Sequence, residues 1–123
     1  MPLQFVFDEN LRGVPWHAVQ RYNQSSAFPI DVVRVGDPPD LPRGTADPEI
    51  LRWAERAARI VVTVDVATLP AHFAAHLSAG AHSPGMFVIM GWVPIRTVID
   101  VLAVAAYASD AEEWRDRIYH ITR

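Results

Sequence analysis

Short apolar runs recur along the chain, separated by stretches of helical period. Leu3-Gln4-Phe5-Val6-Phe7, Ile30-Asp31-Val32-Val33-Arg34-Val35, Ile60-Val61-Val62-Thr63-Val64 and Met86-Phe87-Val88-Ile89-Met90 have the length and the β-branched or aromatic content of strands. All but the second are almost free of polar residues, as strands covered on both faces are. In the second, Asp31 and Arg34 predict an exposed end or face. Leu11 to Tyr22 reads as a helix whose regular part starts near Val14, because Pro15 is tolerated only in a first turn. Asn23 to Pro29 is a polar turn, and Gly36 to Ala46, with three prolines and two glycines, is a loop. Asp47-Pro48-Glu49-Ile50 is a helix-start signal, and Ile50, Leu51, Trp53, Ala54 and Ala57 continue it as an apolar face to about Ala58. Thr68 is expected to cap a helix running to about Ser78, with Gly80 as its stop. Pro94 opens a long helix through about Ala108, Ser109-Asp110-Ala111-Glu112 resembles a capping box, and Arg117 to Thr122 reads as a small closing strand. Strands alternating with helices predict a mostly parallel sheet covered on both faces.

The first and third apolar runs end abruptly in acids. Asp8, Glu9 and Asn10 follow Phe7, and Asp65 follows Val64. An unpaired carboxylate costs several kcal/mol or more to bury, so these residues mark the strands' exits at the carboxyl edge. That edge is where open α/β sheets bind ligands. Asp47 and Glu49 start the helix between the two strands, after a loop long enough to fold over the same edge. If these acids converge, they cannot all ionise unless cations sit among them. All-oxygen ligands suit magnesium or manganese, which orient a phosphodiester, help deprotonate water and neutralise a leaving oxygen. Asn10 and Thr63 are then candidates for holding waters or neighbouring carboxylates. Each residue also has a purely structural reading. Asp47 can be a helix cap, Glu49 can favour the helix dipole, Thr63 can be an ordinary strand residue, and Asp8 and Asp65 can be turn residues.

Composition narrows the field. The 123 residues, half of them hydrophobic, fit one domain spanning 1–123. A net charge of −3 and a pI near 5.9 give no general attraction to nucleic acid or to anionic membranes, so any contact with a polyanion must be local. There is no cysteine, which excludes disulfides and thiolate sites. No basic-then-apolar leader opens the chain and no apolar run reaches the roughly 18 residues of a membrane helix, which sets the expectation of a soluble cytoplasmic domain. All 11 basic residues are arginine. The lack of lysine sets aside phosphoacceptor receiver domains and haloacid-dehalogenase-type phosphatases, which depend on one. Arg12 and Arg43 are candidate phosphate contacts beside their reading as solvated arginines. His72 and His76, at i and i+4 with His82 nearby, could hold zinc with an acid, or could contact substrate from near the acidic edge; the alternative is surface histidines. Trp53 sits in a core pattern, whereas Trp92, in a Gly-Trp-Val-Pro turn, suits an exposed contact such as a stacked base. The apolar breadth of Val98 to Ala106 suits burial in a core or at a homodimer interface.

Five segments in order resemble the PIN-like domain superfamily, in particular its short branch related to VapC-type toxin nucleases. They are Phe7-Asp8-Glu9-Asn10-Leu11, Asp31-Val32-Val33-Arg34-Val35, Asp47-Pro48-Glu49-Ile50-Leu51, Val61-Val62-Thr63-Val64-Asp65 and Pro84-Gly85-Met86-Phe87-Val88-Ile89, spread over roughly residues 3 to 100. The resemblance implies a three-layer α/β/α sandwich with a sheet of four to five strands. It implies magnesium- or manganese-dependent cleavage of RNA, often with a small antitoxin as partner. Asp8, Asp47 and Asp65 match its acid positions, and Glu9, Asn10 and Glu49 match polar positions around them. The chain departs from the branch after Asp65, where Val66-Ala67-Thr68 replaces a common Lys-Asp-Phe. Three acids can hold one metal, and the missing lysine and acid argue against a second. That departure also favours an alternative, a binding or regulatory module that keeps the fold without turnover. A further alternative is a zinc-dependent hydrolase using His72 and His76.

Overall fold

The computed structural model describes residues 2–122. Met1 and Arg123, the ends of the expected 1–123 domain, lie outside the described residues. The strands are β1 (Gln4–Phe7), β2 (Asp31–Arg34), β3 (Arg59–Thr63), β4 (Met86–Ile89) and β5 (Ile118–Ile121). The helices are α1 (Val14–Ser25), α2 (Asp47–Ala57), α3 (Thr68–Ser78), α4 (Ile95–Ala108) and α5 (Ala111–Trp114). All the strands pair in parallel, in the order β2-β1-β3-β4-β5. The expected closing strand is real and completes a five-stranded sheet.

Strand periodicity splits the core in two. Phe5, Phe7, Ile60, Val62, Phe87 and Ile89 face one layer, where α1 contributes Val19 and α4 contributes Val98 and Leu102. Their alternates Val6, Val61, Met86 and Val88 face the other, with Ile50, Leu51 and Trp53 of α2 and Leu69 and Phe73 of α3. Both faces are covered, so both must be apolar, and this is why β1, β3 and β4 read as unbroken hydrophobic runs. The result is an α/β sheet with helices on each side, compatible with a three-layer sandwich.

Edge position explains the polar strand. β2 is outermost beside β1, and its Asp31 accepts from the Arg59 guanidinium at 2.9 Å while Arg34 pairs with Asp37 at 3.0 Å. Two caps differ from expectation. The box before α5 uses Asp110 and Glu113, not Ser109 and Glu112; the Ser109 hydroxyl donates back to the Ala105 carbonyl at 2.5 Å and accepts from the Trp114 indole at 2.7 Å. Thr68 makes no capping bond to α3, whose first amides are taken by Asp65. In α4 the buried stripe is Val98, Leu102, Ala105 and Ala106, while Val104 and Tyr107 stay exposed. No helix among the described residues is long and apolar enough to cross a membrane.

Candidate functional site

The chain passes from β1 outward to β2 and then crosses back over β1 to β3. The carboxyl ends of β1 and β3 therefore flank the topological switch point, the usual place for a ligand in such a sheet. Asp8 leaves β1 there and Asp65 leaves β3. The loop after β2 returns to the same edge and delivers the start of α2 with Asp47. A depression of about 100 Å³ is lined by Asp8, Glu9, Asn10, Thr45, Asp47 and Asp65 and floored by Ile50 and Leu69.

Asp8 is the innermost of these acids, with 6% of its surface exposed. Its amide continues the sheet by donating to the Val62 carbonyl at 3.1 Å. One carboxylate oxygen accepts from the Asn10 amide at 2.9 Å and the other from the Thr63 hydroxyl. Burial pushes the Asp8 carboxyl above the ordinary value of 3.8, and the charges of Asp65 and Asp47 push the same way, against its two hydrogen bonds. Thr63 is fully buried, and its hydroxyl also accepts from the Asp65 amide at 2.9 Å. One side chain thus links the two acidic exits, a role beyond that of an ordinary strand residue.

Asp65 performs a structural task as well. One oxygen accepts from the amides of Ala67 and Thr68, each at 2.9 Å, and the other from Leu69 at 3.0 Å. These amides, the Ala67 amide foremost, hold its carboxyl below 3.8, helped by the nearby His72. Asp47 does the reverse of what a capping signal suggests. It is the first helical residue, one step inside the cap position Ala46, and it makes no capping bond. Its carboxylate instead faces the depression, with His72 Nε2 at 4.0 Å.

The supporting residues divide. Glu9 lines the depression and accepts from the Gly44 amide, which ties the proline-rich loop to the β1 exit. Asn10 lines it as well, whereas Glu49 is exposed and pairs with Arg52 along α2. Arg12 donates to the Val35 carbonyl at 2.5 Å and approaches Asp37 at 4.0 Å, so it fastens the end of β2. Arg43 lies exposed with its aliphatic part against Gly36. Neither arginine lines the depression. Trp53 is core, as its pattern predicts, and Trp92 is 88% exposed.

The three histidine rings each face a different acid. His76 Nε2 stands 3.1 Å from Glu55 and 2.8 Å from the His82 carbonyl, and His82 Nδ1 is 2.9 Å from Asp116. Only His72 looks toward the acids of the depression. A larger concavity, about 470 Å³, is the adjoining groove between α2 and α3, and chemistry rather than size singles out the smaller acidic one. Sequence reading passes over Thr45 and the groove's Arg52 and Arg56; only the i, i+4 spacing of those arginines could have suggested a shared face.

The donor set is all oxygen and suits a hard cation. Among the described residues, however, no three acid or histidine side chains are grouped closely enough to hold an ion together. A carboxylate has about four lone-pair sites, so Asp8 and Asp65 retain acceptor capacity beyond their present bonds. Magnesium is commonly held by one or two carboxylates, with water and substrate phosphate completing its shell. The residues fit that arrangement and not a closed three-carboxylate cage.

Fold and site together define a parallel α/β domain with an acidic depression at its switch point. The strand order is shared by several unrelated chemistries and selects none of them by itself. Neither a scan against protein-family models nor searches of curated proteins and of solved structures returns a match to this chain.

Proposed function

We propose that the chain is a magnesium- or manganese-dependent phosphodiesterase acting on RNA, with Asp8, Asp47 and Asp65 as its acidic centre. One observation carries the reading: carboxylates from the β1 exit, the α2 start and the β3 exit line a single depression, where burial, with a smaller push from the charges of Asp65 and Asp47, raises the pKa of Asp8. RNA as the substrate class follows from the resemblance of the ordered segments. A bound divalent ion would activate water and offset charge on the leaving oxygen. The chain's own residues do the rest. Thr63 and the Asn10 amide fix the Asp8 carboxylate, and the α3 amides fix that of Asp65, so neither must be ordered when an ion arrives. Ile50 and Leu69 beneath them exclude water from one side.

Manganese titration by calorimetry, with an RNA-cleavage assay on the same samples, tests this. Wild type is expected to bind manganese and to cut single-stranded RNA, and Asp8→Asn is expected to do neither. Absence of manganese binding in wild type would sink the reading.

A second reading is a module that binds RNA or a cation without turnover. The commitment of both Asp65 oxygens to backbone amides favours it, together with the absent acid and lysine after that position. It predicts manganese binding without cleavage of any RNA.

A further inference from the structure

The groove between α2 and α3 begins where the acidic depression ends. Both helices start at the carboxyl edge and run away from it toward the amino ends of the strands. His72 joins the two concavities, since it lines the groove and stands 4.0 Å from Asp47 in the depression. Beyond it, α2 presents Arg52 and then Arg56 along one stripe, a single turn or about 6 Å apart. The facing wall is Ala75 and His76 of α3 with Ala79 just past its end, and the two alanines leave a channel of about 470 Å³.

The charges in this channel are unevenly committed. Glu55 is engaged by His76 at 3.1 Å. Among the described residues Arg52 pairs only with Glu49, an exposed contact along the same helix that is worth little in water, so it can exchange for another anion. Arg56 is exposed and has no ion-pair partner among the described residues. In a chain of net charge −3, a stripe of two arginines leading to a cluster of acids is a local exception. Guanidinium groups one turn apart can meet successive phosphates of an extended strand.

We infer that the α2–α3 groove is the track for single-stranded RNA, with its phosphates on Arg52 and Arg56 and its path ending at the acidic depression. The inference rests on the phosphodiesterase reading for the identity of the strand, but it makes a separate claim about where that strand lies.

The test is a fluorescence-anisotropy titration of a short labelled single-stranded RNA in EDTA, where no cleavage intervenes, at several salt concentrations. Arg56→Glu is expected to weaken binding about tenfold. Arg52→Ala with Arg56→Ala is expected to flatten the plot of log affinity against log salt by about 1.4, at roughly 0.7 for each phosphate no longer neutralised. Arg96→Glu, an equal charge change on the exposed side of α4 in the other layer, is expected to bind as wild type. Unchanged affinity and slope in the groove variants would overturn the inference. So would an equal loss in Arg96→Glu, or no RNA binding by wild type. Salt-independent capture of an acidic protein segment by the groove, without RNA binding, would overturn it in favour of a protein partner. Manganese-dependent cleavage with normal binding by the groove variants removes the track and leaves the phosphodiesterase. Arginine-dependent binding without cleavage does the opposite.

Discussion

The surroundings of Asp8 work against its charged form. Burial and two neighbouring carboxylates favour the protonated form, and only the Thr63 hydroxyl and the Asn10 amide oppose them. A folded-state pKa above the unfolded value means that Asp8 contributes most favourably below about pH 3.8 and loses that contribution as pH rises through the folded value. Asp8→Asn is therefore expected to raise the metal-free melting temperature at pH 7 by a few degrees, which corresponds to about 1 kcal/mol in a domain of this size. The gain should vanish in acid; a thermal melt series across pH checks it. Asp65 has the opposite sign. Its lowered pKa contributes stability above about pH 3.8 that is lost as pH falls through the folded value. Asp65→Ala should cost about 1 kcal/mol at pH 7 by uncapping α3, with the gap to wild type closing in acid, whereas Asp65→Asn keeps a cap. Denaturant melts of the two variants, set beside manganese titrations, separate the cap from the proposed ion site: Asp65→Asn should retain stability and bind manganese more weakly.

At the scale of elements, two joints show how the sheet is closed. Ala58 ends α2 in the left-handed region, at φ 56° and ψ 44°, and its amide donates to the last turn. Alanine is strained there by about 1–2 kcal/mol, partly offset by glycine's looser unfolded state. Ala58→Gly should therefore raise stability by about 0.5 kcal/mol in a denaturant melt. Gly85 precedes β4 at φ +124°, and a Cβ there would meet the Trp114 carbonyl oxygen at 2.6 Å. Gly85→Ala should cost roughly 2 kcal/mol or more, measured the same way, because backbone lies in the path and cannot rotate aside. Both joints lie at the amino edge, opposite the acids. Changes there should alter stability without altering manganese affinity.

For the whole molecule, a bound ion is a stability term. Manganese at a hundredfold its dissociation constant should stabilise wild type by about 2.7 kcal/mol and Asp8→Asn not at all, which differential scanning calorimetry measures directly.

Most of the fold is legible in the chain because parallel strands buried on both faces must be continuously apolar, and β1, β3 and β4 are. Even the short β5 carries enough pattern to be read at Arg117 to Thr122. The capping box before α5 sits one residue later than the spacing suggests, because Ser109 and Asp110 both begin an acceptable box and only the backbone decides between them. The site is half legible. Asp8 and Asp65 announce themselves by ending apolar runs, but capping signals alone assign Asp47 to α2 and Thr68 to α3. The helix starts are shifted by one residue from the strongest sequence signal, which frees Asp47 for the depression and draws Asp65 onto the α3 amides.

What the sequence determined by itself is the alternation of buried strands and helices, since hydrophobic periodicity is a local property that one chain carries openly. Which carboxylates meet, which arginines share a groove and which acid also serves as a cap were decided only in three dimensions. Those choices depend on strand order and on one-residue helix offsets, which no spacing along the chain encodes.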